Sequence, residues 1–85
     1  MGRPMTLDDL PASVLFDLLQ DAAAVLTGLY LERQRDATQP DDASRWWDKV
    51  IAVRDHVRSA DPDDRAALVE QITRWRREAA ELNTD

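Results

Sequence analysis

Apolar residues recur through residues 9–35 at Val14, Leu15, Leu18, Leu19, Ala22, Val25, Leu26, Leu29 and Tyr30. Steps of three and four place them on one side of a helix. At 3.6 residues per turn they sweep an arc about 200° wide. Leu15, Leu19, Ala22, Leu26 and Leu29 form its centre. Val14 and Val25 form one edge, and Phe16, Ala23 and Tyr30 the other. An amphipathic surface helix needs little more than about 100°, so this first helix is expected to contact more than one neighbour. Asp8 or Asp9 suits its cap, Pro11 its first turn, and Arg33 and Arg35 its negative end.

The pattern then repeats twice, more briefly. Residues 36–42, DATQPDD, form a turn cluster, in which Pro40 disfavours helix at Gln39. Asp41 or Asp42 is expected to cap a second helix over residues 42–59, with Ala43, Trp46, Val50, Val53 and Val57 as its core stripe. Trp47 and Ile51 lie to one side of that stripe, with Arg54 and Arg58. Asp61 reads as the cap and Pro62 as the first residue of a third helix, over 62–82. Leu68, Ile72, Trp75, Ala79 and Leu82 alternate steps of four and three along it, as in a coiled-coil seam. Arg74 and Glu78, and Arg77 and Glu81, are spaced to pair across one turn. Short connections make this an all-α fold, a three-helix antiparallel bundle with a long N-terminal helix. Residues 9–83 form its single domain behind a flexible tail, 1–8, in which Met5 reads as the natural start after a Met1 to Pro4 extension.

Composition narrows the function classes. A chain of 85 residues is one domain and buries only about 60% of the surface its unfolded form exposes. Its net charge of −6 repels phosphate backbones, so nucleic acid is not the expected partner and a protein surface is. The chain has no cysteine, which excludes disulfides and thiolate metal sites. No signal peptide is visible, and Asp17 and Asp21 interrupt the most apolar region, so no membrane span and a cytoplasmic location are expected.

The candidate chemistry is sparse. His56, the single histidine, has no partners at metal-ligand spacing and reads as a boundary residue. Trp46 and Trp75 read as core. The Arg74-Trp75-Arg76-Arg77 run sits among Glu70, Glu78 and Glu81, so a salt-bridged face is favoured over a nucleic-acid surface. Scattered carboxylates without a nucleophile and base argue against an enzyme, and no cofactor or metal is expected. Two contact patches stand out. Asp17, Gln20, Asp21, Ala24, Gly28 and Leu31 share the reverse of the first helix. There Gly28 costs about 1 kcal/mol relative to alanine. It either admits a close partner or relieves crowding against the other helices. Trp47, Ile51, Arg54 and Arg58 make the second patch, with residue types enriched in interfaces.

Small size, acidity, a long leading helix and two further helices over residues 42–59 and 62–82 resemble the epsilon-type antitoxins of toxin–antitoxin pairs. The resemblance is architectural and spans most of the chain without a short diagnostic motif. It implies an inhibitory protein that neutralises a zeta-type kinase toxin by direct binding, with Asp17 and Asp21 facing a basic phosphate-binding cleft. The alternative is a self-associating helical structural or regulatory protein that forms a homodimer through the wide apolar arc and the Trp47/Ile51 patch.

Overall fold

The computed structural model describes residues 6–84; the expected extension, Met1 to Pro4, lies outside them. The regular elements among the described residues are all helical. A 3-10 turn, Leu7–Asp9, precedes α1 (Ala12–Asp36), α2 (Pro40–Ser59) and α3 (Arg65–Leu82). No strand occurs among the described residues.

Each helix start shows which local force prevailed. Leu10 precedes proline and is extended, at φ −89° and ψ 149°. The helix therefore begins at Ala12, after Pro11, rather than at residue 9. Asp8 and Asp9 are left in the separate turn, where the Asp9 carboxylate accepts from the Thr6 N–H (3.1 Å) and hydroxyl (3.2 Å). Gln39 is also extended before a proline, and Pro40 itself opens α2. Asp41 and Asp42 thus sit inside the first turn and do not cap it. They still favour the positive helix end, and Asp42 pairs with Arg45 at 2.8 Å. The third start also moves. Asp61 accepts from the Asp63 N–H at 2.9 Å, an aspartate turn that uses up Pro62. Asp64 becomes the cap, accepting from the Ala67 N–H at 3.1 Å, and α3 starts at Arg65 rather than Pro62.

The core is one apolar cluster. α1 supplies Leu15, Leu19, Ala22, Ala23, Leu26 and Tyr30; α2 supplies Val50 and Val53; α3 supplies Leu68, Ile72, Trp75 and Ala79. No polar or charged residue is buried among the described residues. Helix α1 packs against both α2 and α3, while α2 and α3 scarcely approach one another backbone to backbone. The result is a flat body, 52 × 29 × 14 Å, with α1 at its centre. Two long-range hydrogen bonds tie its ends. Arg65 Nη2 donates to the Asp8 carbonyl at 2.6 Å, and Arg33 Nη2 to the Leu82 carbonyl at 2.8 Å.

On one side of the layer, aromatic side chains bridge the helices. Tyr30 and Trp46 lie 5.8 Å apart, and the Lys49 ammonium sits 5.7 Å from the Tyr30 ring centre. The ring of exposed His56 meets Trp75 edge-on at 5.2 Å. Among the described residues, the opposite side of α1 has no such cover.

The buried face of α1 is narrower than its apolar pattern. The buried residues fall within about 100° of arc, not 200°. Val25 is 55% exposed and Val14 38% exposed, and Leu29 is only half-buried. Two neighbours cover two flanks of a cylinder, and among the described residues no third helix covers the rest. Leu31 departs the other way. Expected on the outer face, it is half-buried and packs on the core. Among the described residues the expected pairs on α3 do not form, and Arg74 bonds to Glu70 at 3.0 Å rather than to Glu78.

Candidate protein-docking face

The outer side of α1 is built by register. Residues 17, 21, 24 and 28 follow at steps of four, three and four, diametrically opposite Leu15, Leu19 and Leu26. Asp17, Asp21, Ala24 and Gly28 are all exposed. Neither aspartate makes an ion pair or hydrogen bond among the described residues. Gly28 has an ordinary negative φ, and a Cβ built on it meets nothing within 4 Å. Crowding against α2 or α3 is therefore not the reason for glycine here.

A groove of about 630 Å³ runs along the border of α1 and α2. Ala23 and Ala24 form one wall, Val50, Val53 and Val57 the other, and Gln20, Thr27, Arg54 and Arg58 the rim. The structure thus brings Gln20 and Ala24, from the first sequence patch, together with Arg54, from the second. Trp47 and Ile51 are 43% and 38% exposed, and helical register sets them on the same side of α2 as Arg54 and Arg58. The two patches read separately in the sequence are therefore neighbouring parts of one face. Arg54 and Arg58, like the two aspartates, have no ionic partner among the described residues.

Asp21 sits at the other border of α1. It lines a smaller groove, about 380 Å³, with Leu18, Val25, Trp75 and Arg76. Sequence reasoning missed the basic residue here. Arg76 was read as part of a four-residue run, but Trp75 turns into the core, Arg74 pairs with Glu70, and Arg76 faces the α1–α3 border.

No group of three or more histidine, cysteine or carboxylate side chains converges among the described residues. Glu78 is a carboxylate held above its ordinary pKa. Partial burial raises its pKa, and neighbouring Glu81 raises it further. It lies on α3, outside the face.

The length of α1 adds one correction. Asp17 and Asp21 do not interrupt it enough to exclude a membrane span by composition. Ala12–Asp36 is long and apolar enough to cross a bilayer, with a mean hydropathy of 1.5 over its most apolar window. Only 28% of that window is buried within the protein. Its fully buried leucines serve the core, and its uncovered apolar surface belongs to the face described above. Compared with known proteins, the chain matches no family model, no curated protein and no solved structure.

Proposed function

We propose that the protein is a protein-binding module, not an enzyme, and that it docks through the outer side of α1 together with the α2 rim. One observation carries this reading. Val14, Val25, Trp47 and Ile51, the exposed large hydrophobic residues among those described, border a face whose Asp17, Asp21, Arg54 and Arg58 have no ionic partner among the described residues. Clustered exposed apolar surface rimmed by charge marks interaction sites. The module is read as an antiparallel bundle running up-down-up. The Arg65–Asp8 and Arg33–Leu82 hydrogen bonds, which join start to start and end to end of α1 and α3, support that course. The antitoxin role implied by the resemblance is one form of this reading. Asp17 and Asp21 are exposed and have no ionic partner among the described residues, as docking to a basic cleft requires.

Photo-crosslinking tests it. A photoreactive residue placed at Ala24 or Trp47 is expected to trap a protein partner, and one at Ala66 on α3 is not. Crosslinks from Ala66 alone would place docking elsewhere and sink the reading.

A further inference from the structure

We infer that the occupant of this face is a second copy of the chain, in a two-fold dimer in which Asp17 and Asp21 of each protomer lie against Arg54 and Arg58 of the other. The inference rests on the docking-face reading and names its partner. The charges carry it. Asp17 and Asp21 are one helical turn apart on α1, and Arg54 and Arg58 are one turn apart on α2. Equal spacing, about 6 Å of helix rise in each case, lets two helices laid side by side make both pairs together. Arg54 and Arg58 rim the α1–α2 groove and the two aspartates stand exposed on the outer side of α1, yet none of the four finds an ionic partner among the described residues. A two-fold contact brings the same patch of both subunits together, so each pairing is made twice. A foreign partner would need an acidic pair and a basic pair in matching positions. A second copy carries them by construction.

Shape and apolar surface agree. Ala24 and Gly28 keep the middle of the face low, and the open space above Gly28 admits another backbone. Val25 and Trp47, 55% and 43% exposed, flank that low strip and would lose water on contact. The 52 × 29 Å body offers more area than the roughly 800 Å² each partner buries in a standard interface.

Sedimentation equilibrium across the micromolar range decides the matter, with circular dichroism to verify folding. The parent protein is expected to dimerise. Asp17→Lys/Asp21→Lys alone, and Arg54→Glu/Arg58→Glu alone, make every contact like-charged. Each should weaken self-association by about 30-fold or more. An equimolar mixture of the two should recover a dimer, because introduced lysines meet introduced glutamates while native carboxylates meet native guanidiniums. A mixture that stays monomeric while the parent dimerises would overturn the proposal. So would a parent that is monomeric throughout. A monomer that still crosslinks to another protein from Ala24 would preserve the docking face and reject only the second copy. A monomer that instead co-sediments with phosphatidylcholine vesicles would assign the face to lipid.

Discussion

Leu15, Leu19, Leu26 and Ile72 have no exposed surface, and they set what single residues contribute. Leu26→Ala should cost about 2–5 kcal/mol, through lost apolar transfer and the cavity left behind. Urea unfolding would show it as a lower midpoint at an unchanged slope. Glu78 gives the one pH-dependent expectation. Burial, then Glu81, raises its folded pKa, so the folded chain binds that proton more tightly than the unfolded chain. Its ionisation therefore erodes stability as pH rises from its unfolded pKa to above its folded one. Glu78→Gln should be more stable than the parent at neutral pH. The advantage should shrink on acidification and vanish below the ordinary glutamate range, as a pH series of thermal melts would report. These residue roles differ in how legible they were. The 3-4 repeat pointed to Leu15, Leu19 and Leu26, because period alone selects a face. Glu78 reads as one half of an Arg74 pair in sequence, but a glutamate four residues before the arginine is the better-oriented partner, and Glu70 holds that place.

Among the elements, α1 and α3 make the sharpest expectations. Gly28 sits inside α1 with space around it, so Gly28→Ala should gain about 1 kcal/mol in the folded monomer, by removing glycine's backbone entropy. A rise in Tm would check it, and a fall would mean that the space is filled. At the start of α3, Asp64→Ala should cost about 1 kcal/mol through the lost cap. Asp61→Ala, which removes only a turn hydrogen bond, should cost less in the same denaturation series. The order would reverse if Asp61 were the cap, as the Asp-Pro signature read in isolation implies. Helix number and type were legible, because periodicity extends over many residues. The starts were not, since several aspartates stand beside each proline and each can cap or turn. The choice fell to the extended residue that proline imposes and, before α3, to the Asp61 turn that leaves Asp64 as the cap.

The whole molecule depends on α1. Because α2 and α3 pack on it more than on each other, neither is a stable layer alone. Hydrogen exchange should place the amides of Leu19, Ala22 and Leu26 in the slowest class, with α2 and α3 opening no later than α1. Slower exchange in α3 than in α1 would contradict this order. At this scale the sequence by itself determined an all-helical chain, its three helices, the centre of the core and the acidic balance, because local period and composition specify these. It overstated the buried width of α1, since an apolar residue shows no sign of whether a neighbour exists to cover it. Only the tertiary structure decided that two neighbours leave Val14 and Val25 exposed, and that Gln20, Ala24 and Arg54, distant in sequence, line one groove. Which faces meet depends on how helices cross, and that is settled by packing between elements rather than within them.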